Sequence, residues 1–133
     1  MPHSIQGLSS GSLSSAELRR AILALPAAFQ QMLGDATIIA YYGWGCILHP
    51  DLQYVPMRVS TQSLERFVRE SLGQEIVIPG GSDFCFTVPE GRLEVLFCHE
   101  GDIHLKGSDA ALLDALQGSE LFANISFKSW IKC

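Results

Sequence analysis

The sequence predicts an α+β fold: a single domain in which a mainly antiparallel sheet of about five to seven strands carries helices packed on one face. Three observations lead there. The chain has 133 residues, 47% of them hydrophobic, which is the size of one domain and enough to bury a core without metal or disulfide staples. Its apolar residues switch repeatedly between helical spacing and short runs rich in Val, Ile and aromatic side chains. Several of those runs follow one another through glycine-bearing turns, as hairpins do, and helices over one face of an antiparallel sheet is the economical packing for that order.

Residues 1–13 are Ser/Gly-rich with little to bury and read as a flexible tail, leaving 14–133 as the domain. "SSAE" then forms a capping box, with Ser14 as cap and Glu17 reaching back, and Leu18, Ile22, Leu25 and Phe29 follow at helical spacing. Pro26 interrupts this helix, giving either one kinked helix or two short ones ending at Gly34. "ATIIAYYGWGCIL" reads as a strand with a bend at Gly43 or Gly45, and "QYVPMRV" as a second strand after the turn "HPDL". Ser60 or Thr61 caps a helix that runs to about Leu72, buries Leu64, Phe67 and Val68, and is closed by Gly73. "EIVIPGG" reads as a short strand. "DFCFTVPEGRLEVLFCHEGDIHLKG" gives three strands, "SDAALLDALQG" a helix with Ser108 as cap and Gly118 as stop, and "NISFKSWIKC" a last strand on the sheet edge.

Turn chemistry fixes an expected register for the three central strands. The turn "PEGR" sets Val88 opposite Leu93, Phe86 opposite Val95 and Phe84 opposite Phe97. For "CHEGDI", a two-residue loop at Glu100-Gly101 and a four-residue loop from His99 to Asp102 both set Cys98 opposite Ile103, Leu96 opposite Leu105 and His99 opposite Asp102. One face then carries Phe84, Phe86, Val88, Leu93, Val95 and Phe97, and ends in His99, Asp102, His104 and Lys106. The other carries Cys85, Thr87, Glu94, Leu96, Cys98, Ile103 and Leu105.

That polar end holds the candidate metal site. His99, Asp102 and His104 supply two imidazoles and a carboxylate, a set that suits zinc, iron or manganese with positions left for water. Against it stands a simpler reading, in which His99 and Asp102 bond each other at the solvent edge and His104 leans on Phe97. Cys98 and His99 are set aside as a nucleophilic dyad because neighbours on a strand point to opposite faces. A second candidate is the binding cluster Tyr41, Tyr42 and Trp44 between two glycines, where amphipathic rings beside flexible backbone can form a ligand platform or protein hot spot; core packing of one tyrosine and of Trp44 competes with it. His49 and Asp51 around Pro50 read as turn residues. "PGGS" at 79–82 lacks the helix and lysine of a phosphate loop, and no GxSxG elbow or nucleotide fingerprint occurs.

Charge and cysteine usage narrow the function classes. The net charge is −5, with 17% charged residues, which argues against a nucleic-acid backbone or an anionic membrane as partner and favours another protein with a basic surface. No apolar run approaches the roughly 20 residues that span a bilayer. The cysteines at 46, 85, 98 and 133 form no CxxC pair and no secretory leader precedes them, so reduced thiols and a cytoplasmic location are expected. The resulting expectation is a small acidic protein-binding module that occludes or regulates a partner, as an inhibitor or immunity protein does. It is not expected to be an enzyme or to carry a cofactor. The alternative is a metal-dependent or small-ligand-binding enzyme using His99, Asp102 and His104, with a divalent transition metal as cofactor.

Overall fold

In the computed structural model of the chain, which describes residues 5–47 and 50–132, the regular elements are β1 (Ile5–Ser9), α1 (Ser15–Leu33), β2 (Thr37–Tyr42), β3 (Met57–Ser60), α2 (Leu64–Gly73), β4 (Phe84–Val88), β5 (Leu93–Phe97), β6 (Ile103–Lys106), α3 (Ala110–Gln117) and β7 (Lys128–Lys132). The strands form one sheet in the order β3-β2-β4-β5-β6-β1-β7, and every neighbouring pair is antiparallel. The fold is therefore α+β with seven strands, and β7 lies at the sheet edge.

The helices cover one face because alternation along the strands puts large apolar side chains there. Ile38, Ala40 and Tyr42 from β2, Phe84, Phe86 and Val88 from β4, and Leu93, Val95 and Phe97 from β5 join Leu18, Ile22, Leu25 and Phe29 of α1 and Leu64 and Val68 of α2 in one core. Phe67 packs against that core while partly buried. The rings of Phe84 and Phe86 lie 4.4 Å apart at the centre of the sheet.

Helix α1 begins as expected, with both hydrogen bonds of the Ser14/Glu17 capping box formed. It runs without a break through Pro26, whose ring is buried among the core-facing residues of the helix; packing against the sheet offsets the hydrogen bond the proline removes. Two caps differ from expectation. Thr61 bonds Gly34 O and Ala36 N, so the cap moves two residues on, to Ser63, and α2 starts at Leu64. At α3 it is Asp109, not Ser108, whose side chain accepts from Leu112 N.

Three corrections are larger. Residues 5–9 are not a tail but the strand β1, inserted between β6 and β7, with Leu8 against the core; backbone pairing, to which serine and glycine are no obstacle, holds it. The stretch "EIVIPGG" is not a strand. Its backbone is satisfied locally, through Ile76 N to Ser71 O, Gly81 N to Ile78 O and Ile78 N to Ser82 Oγ, which leaves little for a ladder. Finally, the β4–β5 register is the expected one, but β5–β6 is slipped by one: Leu96 faces His104 and Phe97 faces Ile103. The loop has three residues, 99–101, closed by Cys98 N to Asp102 O at 2.8 Å and Gly101 N to Cys98 O at 3.0 Å, with Gly101 at φ +92°, where a glycine is favoured. The slip inverts β6. Ile103 and Leu105 enter the core, both 0% exposed, and His104 and Lys106 move to the open face with Asp102.

Candidate functional site

On the open face, the register lines up Tyr41, Cys85, Leu96, His104 and Ser9 as one row across five strands. One step toward the end of the sheet, the same register brings Asp83, Cys98 and Asp102 together. Asp83 is fixed there by its backbone, with Gly43 N donating to its carbonyl at 2.9 Å and its own N–H donating to Trp44 O at 2.8 Å.

Two Asp–His pairs flank Cys98. Asp83 Oδ1 accepts from the backbone N–H of His99 at 2.7 Å and meets His99 Nδ1 at 2.8 Å. Asp102 Oδ2 meets His104 Nε2 at 2.8 Å and accepts from Ser9 Oγ at 3.2 Å. The other oxygen of Asp102, Oδ1, is buried without a hydrogen-bond partner. The donor atoms of Cys98, Asp102 and His104 lie within 4.8 Å of one another, as do those of Asp83, Cys98 and His99. Of the three residues expected to form a metal site, Asp102 and His104 thus belong to one group and His99 to the other. The expected convergence of His99 and His104 does not follow, because the slipped register turns Asp102 and His104 toward Cys98. Sequence reasoning missed Cys98 and Asp83 as members. Extending the β4–β5 register back by one residue from Phe84 and forward by one from Phe97 would have set the two opposite each other.

The cluster does not have the arrangement of an activated Cys–His dyad. His99 has already left the strand, so its Nδ1 does come within 3.9 Å of Cys98 Sγ, contrary to the expectation of opposite faces. Yet it is the same nitrogen that Asp83 holds, whereas a relay needs one ring nitrogen for the nucleophile and the other for the acid. Burial, reinforced by the carboxylates of Asp102 and Asp83, pushes the Cys98 thiol up to about 11, the reverse of what activation requires.

The aromatic cluster divides. Tyr42 belongs to the core, stacked on Phe67 and Phe84 with centroids 5.7 and 5.4 Å away, its hydroxyl bonded to Ser71. Tyr41 lies on the open face opposite Cys85, where burial, reinforced by that neighbouring thiol, raises its hydroxyl above the usual tyrosine range. Trp44, for which core packing was the competing reading, is 56% exposed with its ring 4.3 Å from that of His99. It is turned outward because β2 ends at Tyr42 and the next loop is pinned at Gly45, which has φ +83° and so little room that a Cβ would fall 2.2 Å from Gly81 O. The other exposed large apolar side chains, Ile47, Leu52, Tyr54, Val55 and Ile78, come from the neighbouring loops. Hydrogen bonds from Ile47 N to Ile76 O and from Tyr54 N to Tyr42 O tie these loops to one end of the sheet.

Asp51 lies in a short 3-10 turn, Pro50–Leu52; His49 lies outside the described residues, as does Cys133. Cys46, Cys85 and Cys98 are free thiols, and no helix among the described residues is long and apolar enough to cross a membrane. A cleft of about 700 Å³ between α1 and residues 118–121 is lined by Arg20, Gln31 and Glu120 with small apolar neighbours, and gathers no comparable set of groups. Compared with protein-family models, curated proteins and solved structures, the chain matches none, so function has to be argued from these surfaces themselves.

Proposed function

We propose that the chain is a cytosolic protein-binding module that occludes or regulates a partner, in the manner of an inhibitor or immunity protein, and that it docks through the apolar end of its sheet. One observation carries this reading. Among the side chains whose exposure the structure describes, which exclude those of residues 5, 6 and 130–132, the six large apolar ones that are exposed come from residues 44–55 and from Ile78, which neighbouring loops hold at the same end of the fold. Grouped exposure of this kind is characteristic of interaction sites, whereas scattered single residues are not. Trp44 and Tyr54 are side chains that dominate binding energy when a partner desolvates them. The net charge of −5 suits a partner whose apolar groove has a basic rim, since complementary charge speeds encounter and disfavours wrong partners.

The test is comparative capture. Tagged parent and a Trp44→Ala/Ile47→Ser double variant, both altered only at exposed positions, are crosslinked in lysate of the source cells and the captured proteins identified. A protein held by the parent, lost by the double variant and retained by an Arg66→Ala control on the far surface of α2 supports the reading. Equal capture by parent and double variant sinks it.

A further inference from the structure

We propose that Cys98, Asp102 and His104 form a binding site for a divalent transition metal of the zinc type, at the open-face end of the β5–β6 hairpin. Three observations converge. The donor atoms of the three side chains already lie within 4.8 Å of one another, and thiolate, carboxylate and imidazole together are a donor set that zinc accepts in tetrahedral sites. Asp102 Oδ1 is buried with no hydrogen-bond partner, a costly state for a carboxylate oxygen that a cation relieves. The imidazole is also held in place before any ion arrives, because Asp102 Oδ2 sits 2.8 Å from His104 Nε2 and is itself steadied by Ser9 Oγ at 3.2 Å.

Binding replaces the thiol proton of Cys98 with the ion, the proton leaving to solvent, and the dication offsets the burial and the neighbouring carboxylates that otherwise keep that thiol protonated. Three protein donors leave a tetrahedral ion one position, for water or for a donor from a bound partner. The second group, Asp83, Cys98 and His99, competes for the same sulfur. It is the weaker choice: both Asp83 and His99 are already satisfied by each other and Asp83 additionally by the His99 backbone, so an ion there relieves nothing. This inference stands apart from the docking surface and does not depend on it.

The experiment uses the reduced full chain with zinc chloride or cobalt(II) chloride as the probe. Equilibrium dialysis of the parent is expected to give one zinc per chain, and cobalt a near-ultraviolet thiolate charge-transfer band with visible bands of tetrahedral intensity. Cys98→Ser should abolish the charge-transfer band, His104→Gln and Asp102→Asn should each weaken binding at least tenfold, and His99→Gln should leave it unchanged. His104 is partly exposed, so that variant is expected to fold, and circular dichroism without metal checks all four. Absence of stoichiometric metal on the parent overturns the proposal. So does binding that survives both Cys98→Ser and His104→Gln, or a loss caused by His99→Gln that His104→Gln does not share, which would move the ion to the other group.

Discussion

On the helix-covered side of β4, Phe84 and Phe86 are 0% exposed beneath two helices; on the opposite side of the same strand Cys85 is also 0% exposed, with no helix above it. Its cover is one layer of side chains, chiefly Tyr41 and Leu96 on the flanking strands, both themselves partly open. The same degree of burial is thus reached in two ways. The covered face interlocks side chains from strands β2 to β6 and all three helices, so removing atoms there leaves a void that neighbours cannot refill. The open face relies on single side chains lying across the sheet, and tolerates polar groups because solvent is close. That is why the Asp–His pairs and Cys98 collect on the open face.

Truncation should separate the two faces most strongly. Phe86→Ala is expected to cost about 3 to 5 kcal/mol in urea unfolding, while Leu96→Ala, directly across the open face from Cys85, should cost roughly 1 kcal/mol because water can occupy the space. Equal losses would mean that something absent from the single chain covers the open face. The next largest effect concerns the loop that turns Trp44 outward. Gly45→Ala combines a positive φ with a Cβ driven into Gly81 O and should cost about 2 to 3 kcal/mol. Gly101→Ala shares the positive φ but meets nothing nearer than Leu13 O at 3.6 Å, and should cost about 1 kcal/mol. If the two cost the same, the contact at Gly45 does not hold the loop.

A smaller effect distinguishes the faces by pH. Burial raises the Cys85 thiol from the usual value near 9 to about 12 and Cys98 to about 11. Groups raised in the folded state bind more protons there than when unfolded, so their contribution is fully present below pH 9 and is lost as pH climbs toward the folded values. Unfolding free energy should fall by about 1 kcal/mol per pH unit for each such thiol above pH 9. Cys85→Ala should flatten that slope, whereas a core substitution such as Val95→Ala should shift the whole curve without changing it. An unaltered slope in Cys85→Ala would show that the open-face cover admits enough water to leave the thiol at its ordinary value.

The contrast between faces also explains what could be read in advance. The covered face was legible because hydrophobic periodicity reports it directly: Phe84, Phe86, Val95 and Phe97 alternate, and the register of "PEGR" follows from its turn. The β5–β6 hairpin departs from the expected register because turn chemistry around "HEG" suggests an even-length loop, whereas the three-residue loop shifts the partner strand by one. A signal was present all the same, since alternation in "IHLK" assigns Ile103 and Leu105 to the core whatever the loop length. Asp83, Trp44 and the apolar loops were harder to place. Their positions depend on backbone approach between distant segments, such as Gly45 against Gly81, and no local pattern encodes that. Strand β1 was missed for a related reason: the groups that hold it are main-chain N–H and C=O, which every sequence possesses.

That strand carries a consequence for how the chain assembles. β1 is flanked by β6, about a hundred residues later, and by β7, at residues 128–132, so during synthesis β1 must wait for about a hundred further residues before either neighbour is available. Closing such long loops slows folding. Until then the outer edge of β6 presents unpaired main-chain groups in a row, a template on which a second nascent chain could lay its own N-terminal strand. Exchange of β1 between two chains would satisfy the same hydrogen bonds as the monomer does, so a strand-swapped dimer is the expected failure on refolding at high concentration, its yield rising with protein concentration.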